Sequence, residues 1–343
     1  MRQEGVAKKL NISRQTLNNY INGITLIDFE KLIELSRLVK RDIDYFYKTD
    51  YNTGNYLLRS DKKISNELKI KFEEKIRKYV EIEKIEKVKL HPLLLESYLN
   101  RFDRDYIQDI SMKLRKIWNL SESEPIYNSI QLLEGNGVRV IQFDAMDSDV
   151  SGFSAYNEKT GYFIFLNTGT TIERQFFTSI HELAHFIFNK SDYDSELNIE
   201  YSELKENIAD EIAGHFLLPT QAIKKYISQN YLDNYLNKIR FEDILKMKSY
   251  FHVSALCMTK RLFKESIINE KNYNELRNKL ENEIGKKKEP YGLNEENFIQ
   301  NFRFNNLVMG AYKKQRITLS KVAELMEISV IEAGTKFNEW FSN

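Results

Sequence analysis

The sequence predicts a mainly α-helical protein with a small antiparallel β-sheet, an α+β chain. Only 4 Pro and 13 Gly occur in 343 residues, and Lys, Ile, Asn, Glu and Leu are abundant, which favours helices. Short stretches rich in β-branched and aromatic residues occur close together at 138–143, 151–156 and 162–166. Turn residues at 157–161 separate the last two stretches and predict a hairpin. We therefore expect a small sheet surrounded by helices.

Composition limits the class of protein. The length of 343 residues is enough for about two domains. The hydrophobic share of 42% and the charged share of 29% are typical of globular proteins. With a net charge of +1, any DNA binding needs a local patch of basic residues. The chain shows no signal-peptide pattern, no apolar run near the ~20 residues that cross a bilayer, and a single cysteine, Cys257. We expect a cytoplasmic protein with no membrane partner.

The first fifty residues, 1–50, predict a domain of short helices with tight turns. Within it, Ser13 is a candidate N-cap for a helix that ends at Asn22-Gly23. Residues 3–23 resemble the helix-turn-helix of Xre/Cro-like repressors. That resemblance implies that the second helix enters the major groove of DNA. It places four residues suited to guanine and adenine edges at the bases: Arg14, Gln15, Asn18 and Asn19.

One feature departs from the Xre/Cro pattern. In those repressors a further helix precedes the pair, and Met1 leaves no room for it. Three interpretations remain open: the start of the chain lies upstream, the domain borrows a helix from elsewhere, or it has become a protein-interaction module.

The next stretch, 51–105, is rich in Lys, Glu, Ile and Leu, with charges of both signs. It predicts a solvated helical connector and a poor nucleic-acid patch.

A His-Glu-x-x-His pattern, formed by His181, Glu182 and His185, lies in an uncharged stretch without Pro or Gly. Positions four apart share one face of a helix, so the two imidazoles can hold one Zn²⁺. Glu182, one step round the helix, can then reach a water activated by the metal. Thr170 and Glu173 fit a capping box at the start of this helix. A five-residue pattern alone also occurs by chance.

A second predicted helix, which ends before Pro219, carries Glu206 and Asp210 on one face. A catalytic zinc takes three protein ligands and keeps one open position, and two His with one Glu is a common set. Glu206 is therefore the candidate third ligand. Asp210, one turn further on, can accept the other ring N–H of a ligand histidine and fix its tautomer. His215 lies nine positions after Glu206 and is expected to face away from the metal.

These two segments resemble the ImmA/IrrE family of metallopeptidases over roughly residues 107–219. The resemblance rests on Arg174-x-x-Phe-Thr-x-x-His-Glu-x-x-His, on Glu206-x-x-Ala-Asp and on the closing Leu-Leu-Pro, and it extends upstream to Gly152-Phe-Ser. It implies a zincin-like peptidase core, assigned to 106–265, flanked by helical domains. In that core Zn²⁺ would be held by His181, His185 and Glu206, with Glu182 as the general base.

The resemblance also implies a place for the substrate. In this class of peptidase an edge strand commonly lies beside the cleft, so 162–167, with Tyr162, Phe163 and Asn167, could bind an extended peptide by strand addition. The alternative is a strand that only covers the core. His252, on a later helix, is a candidate for stabilising an oxyanion.

The remaining residues, 266–343, predict a C-terminal helical domain with a polar linker near 286–290. Residues 317–331 look like a second helix-turn-helix with few exposed basic residues, which favours an intramolecular or protein-binding role.

Taken as a whole, the resemblance to the ImmA/IrrE family implies a cytoplasmic zinc peptidase in a stress response or a mobile element. Its substrate would be a helix-turn-helix repressor protein. The competing hypothesis is a non-proteolytic DNA-binding regulator or antitoxin that uses the peptidase fold as a sensor or docking module.

Overall fold

In a computed structural model, the chain forms two compact units, Met1–Asn52 and Thr53–Asn343. No helix among the residues that it describes is long and apolar enough to cross a membrane. The described residues are 3–21, 25, 27–39, 41, 43, 46, 57–59, 66–88, 103–145, 150–157, 160–188, 203–230, 239–283, 289–294 and 297–341.

The first unit contains the helices α1 (Gln3–Lys9), α2 (Arg14–Ile21) and α3 (Phe29–Val39). Helix α2 starts where the sequence predicted, because the hydroxyl of Ser13 accepts the N–H of Thr16 at 2.9 Å. The helices share a small core of buried apolar residues: Ala7, Leu10 and Leu17. A core this small fits a short helical domain.

The second unit contains a four-stranded sheet and the other helices. Its strands are β1 (Leu57–Arg59), β2 (Arg139–Phe143), β3 (Gly152–Asn157) and β4 (Gly161–Asn167). The helices up to residue 217 are α4 (Asn66–Ile85), α5 (Arg104–Ile117), α6 (Ser129–Gly135), α7 (Ile172–Phe188) and α8 (Glu203–Leu217). The later helices are α9 (Thr220–Asn230), α10 (Phe241–Phe251), α11 (Ala255–Lys264), α12 (Glu270–Glu283), α13 (Phe302–Lys313), α14 (Leu319–Met326) and α15 (Val330–Phe341).

The strands lie in the order β1-β3-β4-β2. The α+β class and the predicted β3–β4 hairpin are confirmed, and β1 pairs antiparallel with the other side of β3. Strand β2 runs parallel to β4, so the prediction of a purely antiparallel sheet is wrong there. The segment between β2 and β3 is too long for a tight turn. Asn167 holds both of its ends, since it accepts the N–H of Ala145 at 3.2 Å and donates to the carbonyl of Val150 at 2.9 Å.

Helix α4 covers one face of the sheet. The ring centroid of Phe72 lies 4.3 Å from that of Phe153 and 4.7 Å from that of Phe143. The prediction of a solvated connector over 51–105 is therefore wrong for α4, and also for β1, which pairs with the sheet. Apolar residues three or four apart give α4 a buried stripe. The many charged residues between them made the overall composition of this stretch look like that of a solvated helix. The stripe consists of Phe72, Ile76, Tyr79 and Val80.

Helix α7 packs on the opposite face. Successive strand residues point to opposite faces, so Phe163 and Phe165 of β4 face α4, whereas Ile164 and Leu166 face α7. The core on this side includes four α7 residues spaced for one helix face: Ile180, Leu183, Ala184 and Ile187. The helix thus lies against the sheet with its other side available to α8.

The start of α7 differs from the expected capping box at Thr170 and Glu173. The side chain of Thr171 accepts the N–H of Arg174 at 3.3 Å. Glu173 is instead buried and accepts from the ammonium of Lys248 on α10 and from the N–H of Leu293, each at 3.0 Å. A fully buried lysine needs a carboxylate partner, which explains this use of Glu173.

The helices after residue 266 join the second unit and do not form the separate domain expected for 266–343. Helix α13 packs against α4, and Val322, Ala323 and Leu325 of α14 are buried in the same core, with α14 capped by Thr318. Glu83 links α4 to β2 and to α13, because its carboxylate accepts hydrogen bonds from Arg139 of β2 at 2.8 Å and from Arg303 of α13 at 2.7 Å.

Truncating Phe72 tests whether α4 is part of the folded core. We expect Phe72→Ala to lower the free energy of unfolding by about 3–5 kcal/mol, because it removes a buried ring from an aromatic cluster. Ile70 on the same helix is 51% exposed, so Ile70→Ala should change the free energy of unfolding by less than about 0.5 kcal/mol. Urea denaturation of both variants measures the difference. Equal effects would contradict the packing of α4.

Candidate metal centre

Helices α7 and α8 bring three potential metal ligands together: His181, His185 and Glu206. The two histidines lie one turn apart on α7, as the spacing predicted, and α8 crosses beside them with Glu206 facing them. His185 is buried, whereas His181 and Glu206 are partly exposed. The cluster therefore opens to solvent on one side, as a site that admits a substrate must.

The ligand atoms are close enough for one ion. Nε2 of His181 lies 3.0 Å from Nε2 of His185 and 3.0 Å from Oε2 of Glu206. Nε2 of His185 lies 3.4 Å from Oε1 of Glu206. Ligand atoms at about 2.0–2.2 Å from a tetrahedral zinc are roughly 3.3 Å from each other. The donor set and its spacing therefore fit a metal cation of this kind.

Asp210 lies on the far side of the His181 ring, with its Oδ1 2.9 Å from Nδ1. This contact directs Nε2 toward the ligand cluster, the role expected of an aspartate behind a ligand histidine. Burial lowers the pKa of His181, but hydrogen bonds to Asp210 and Glu206 outweigh burial and raise that pKa to about 9. Burial raises the pKa of Glu206, but its contacts with both histidines bring it well below the usual range. The cluster stabilises positive charge, which a metal ion can supply in place of a proton.

Glu182 is buried between α7 and the sheet. Its Oε2 accepts a hydrogen bond from the hydroxyl of Ser154 on β3 at 2.7 Å. A buried carboxylate held in this way has a fixed direction. Ser154 was not among the predicted site residues, although it stands in the Gly152-Phe-Ser segment that carried part of the family resemblance. Its contact with Glu182 depends on tertiary structure, which the local pattern does not show.

Gly152 explains how β3 comes so close to α7. A Cβ atom at this position would lie 2.5 Å from Cγ2 of Thr178 and 2.7 Å from the carbonyl oxygen of Phe165. Both distances are shorter than van der Waals contact, so any larger residue would push β3 away from α7. The glycine therefore sets the separation at which Ser154 meets Glu182.

The prediction that 162–167 binds a peptide by strand addition is wrong. Strand β4 is internal, with β3 on one side and β2 on the other, so its backbone groups are already paired. Phe163 is buried under the guanidinium of Arg139. Tyr162 packs against Phe186, with ring centroids 4.4 Å apart. Asn167 also accepts the N–H of Gly169 at 2.9 Å, which completes its structural role in the turns around β4.

The other two described histidines lie outside the metal cluster. The two ring nitrogens of His215 lie 2.7 and 3.0 Å from the guanidinium of Arg261. Burial, with the charge of Arg261, lowers the pKa of His215 to about 3, so the ring is neutral near pH 7. His252 donates from Nδ1 to the carbonyl of Tyr127 at 2.7 Å. The structure thus gives both a structural contact, in agreement with the expectation for His215.

A pocket of about 180 Å³ adjoins the cluster, because Asp210 is part of its wall. Phe177 lines it from α7 and Gly214 from α8, and several cations surround it, including Arg174 and Lys260. The neighbouring Cys257 is no nucleophile near neutrality, since burial raises the pKa of its thiol to about 12. The space is large enough for one side chain of a bound peptide.

In the first unit, the four candidate DNA-contacting residues lie together on α2. Arg14, Gln15 and Asn18 are exposed, and Asn19 is half-buried. Arg14 forms an ion pair of 3.0 Å with Glu4, and Gln15 donates to the side chain of Asn19 at 3.2 Å. Their contact with DNA stays a prediction.

Comparison with known families gives two matches. Residues 1–46 match a family model described as helix-turn-helix. Residues 133–263, which include Glu182 and all three candidate ligands, match the model of the IrrE N-terminal-like domain of the M78 peptidases. No curated protein matches the chain. Both matches overlap the stretches in which the resemblances were seen in the sequence: the N-terminal part of the chain is similar to helix-turn-helix domains, and residues 133–263 are similar to the IrrE N-terminal-like domain of the M78 peptidases.

Proposed function

We propose that this protein is a zinc-dependent peptidase coupled to transcriptional regulation, and that its substrate is a helix-turn-helix repressor protein. The observation that carries the proposal is the convergence of His181, His185 and Glu206 beside the buried Glu182. Three protein ligands with a carboxylate among them are typical of catalytic zinc, whereas structural zinc is usually enclosed by four Cys or His ligands. The match to the M78 peptidases agrees with this chemistry.

The residues around the cluster divide the work of peptide hydrolysis. When bound, Zn²⁺ supplies Lewis acidity toward water and the scissile carbonyl. Glu182 accepts a proton from the attacking water and returns it to the leaving amine. Ser154 holds the Glu182 carboxylate in place through its 2.7 Å hydrogen bond. Asp210 orients His181, and the adjoining pocket accepts one side chain of the substrate.

The N-terminal domain supports a regulatory setting for this activity. A helix-turn-helix with exposed Arg14, Gln15 and Asn18 on α2 has the residue types that read base edges. This observation also favours the second candidate function, a DNA-binding regulator that does not cut protein. The two functions are separated by measuring cleavage and DNA binding on the same samples.

Replacing the general base tests the mechanism. We expect Glu182→Gln to retain zinc but to slow cleavage at least about 100-fold, since the amide cannot accept the proton from water. The measurement is cleavage of the repressor encoded beside the gene, with zinc content determined in parallel. A zinc-loaded variant that cleaves like the parent would rule out this role of Glu182. A zinc-loaded parent that binds DNA but never cleaves would favour the non-proteolytic regulator.

Removing the carboxylate behind His181 tests the metal site. We expect Asp210→Asn to weaken zinc binding by about 10–100-fold, because His181 loses the partner that orients its ring. Glu203 is an exposed acid on the same helix, so Glu203→Gln serves as the matched loss of charge and should bind zinc like the parent. Competition with a chromophoric chelator gives both affinities. Equal losses of zinc affinity in the two variants would mean that the overall negative charge, and not the contact of Asp210 with His181, determines zinc binding.

Removing Arg14 tests sequence reading by α2. We expect Arg14→Ala to reduce the preference for the DNA upstream of the gene over a scrambled sequence by roughly 5–150-fold, the value of one bidentate base contact. Arg37→Ala removes the same charge from an exposed position on α3, and should lower affinity for both DNAs equally. Titrations at two salt concentrations measure both ratios. A parent protein without any preference would refute base reading by this domain.

A further inference from the structure

The pocket beside the metal cluster lies between three helices. Helices α7 and α8, which carry the candidate ligands, form two of its walls, and α11 forms the third. Asp210 borders both this pocket and the ring of His181, so the pocket and the cluster share a wall. A substrate whose scissile bond lies at the cluster can therefore place a neighbouring side chain in the pocket.

Gly214 leaves the pocket open on the side of α8. This glycine lies inside the helix and is buried. A Cβ atom at this position would meet no described atom within 4 Å outside its own stretch of helix. Glycine weakens a helix relative to alanine, and packing gives no reason for a glycine here. The surrounding helices thus leave a gap that an incoming side chain can fill.

Four cations line the pocket: Arg174, Lys260, Arg261 and Lys264. Two of them are neutralised by acids of the same chain. The guanidinium of Arg261 lies 2.9 Å from the carboxylate of Glu265, and the ammonium of Lys264 forms an ion pair with Glu211. These two pairs therefore add little net charge to the pocket.

The other two cations, Arg174 and Lys260, are exposed and form no ion pair with an acid in the part of the chain that the structure describes. The guanidinium of Arg174 contacts the hydroxyl of Ser151 at 3.4 Å, and this neutral group leaves its charge uncompensated. The remaining acid of the pocket, Asp210, is held by His181 at 2.9 Å. Positive charge therefore exceeds negative charge in the pocket.

Phe177 and Leu256 add apolar surface to the same space. Methylene groups favour such surface, and a carboxylate favours the neighbouring cations. We propose that the pocket binds an acidic side chain of the substrate beside the scissile bond, and that Arg174 and Lys260 hold its carboxylate. The inference rests on the proposed peptidase function, and it names the residue type that the substrate presents there.

The test uses the zinc-loaded, full-length chain with Glu182→Gln, so that bound peptides are not consumed. The probe is a mixture of short random peptides, acetylated and amidated so that only side chains carry charge. Peptides retained by the immobilised protein are sequenced by mass spectrometry, which gives the enrichment of Glu and Asp over the starting mixture. In the same background, Arg174→Gln/Lys260→Gln removes both pocket charges. Lys246→Gln/Lys271→Gln removes two exposed charges outside the pocket and is the matched control.

We expect the Glu182→Gln chain and the matched control to enrich acidic residues about three- to tenfold, the range for two partly exposed ion pairs. The variant without the charges of Arg174 and Lys260 should lose this enrichment, because no cation then offsets the desolvation of a carboxylate in the pocket. No enrichment by the Glu182→Gln chain would overturn the proposal. Enrichment that persists without the two charges would also overturn it, since another basic surface would then be responsible.

Filling the gap at Gly214 tests the space without changing a charge. In the same background, Gly214→Leu should lose most of the enrichment because its side chain extends into the pocket, whereas Gly214→Ala should retain it. Both variants should unfold at or above the temperature of the Glu182→Gln chain, since leucine and alanine favour helices more than glycine does. Undiminished enrichment in a folded, zinc-loaded Gly214→Leu variant would overturn the assignment to this pocket. If that variant does not fold, the comparison of the charge variants decides alone.

Failure of the proposed function gives a different result. In that case the zinc-loaded parent cleaves no repressor, while the Glu182→Gln chain still enriches acidic peptides. If the parent does cleave, sequencing of the products locates the cut. A cut without Glu or Asp beside it would leave the peptidase function intact and overturn the role of Arg174 and Lys260.

Discussion

The contact of two imidazole nitrogens with one carboxylate, all within 3.4 Å, is the constraint on which the proposed chemistry depends. Such a cluster needs a positive charge at its centre, and Asp210 adds a further negative charge behind His181. Groups with this electrostatic demand stay together only if rigid elements hold them. Helices α7 and α8 provide that support, since both are packed into the largest apolar core among the described residues.

The sheet connects this cluster to the proposed chemistry. On the sheet face that packs against α7, Ser154 donates a hydrogen bond to the buried Glu182. The opposite face is covered by the buried apolar stripe of α4. A strand that positions a functional carboxylate must itself be fixed from both faces. The stretch 66–85, which lies outside the matched domain, therefore belongs to the structural support of the site.

Local patterns predicted the candidate ligand set and the β3–β4 hairpin, whereas they did not predict the pairing of β1 and β2. The separation of His181 and His185, and of Glu206 and Asp210, puts each pair on one helix face whatever the rest of the chain does. The position of β4 inside the sheet depends on β2, whose paired residues lie 24 positions earlier in the chain, and β1 joins β3 from nearly a hundred residues earlier. The same long range explains why the burial of α4 and the contact of Ser154 with Glu182 were missed.

The position of α4 in the chain also affects how the protein is made. Its apolar stripe is synthesised first, and Phe165, which completes the aromatic face of the sheet, follows about 90 residues later. At an elongation rate of ~5–20 residues per second, roughly 5–20 s pass before that face exists. During this interval the stripe has no final partner. The Lys and Glu residues that flank the stripe in α4 are of the kind that oppose aggregation of an exposed apolar segment.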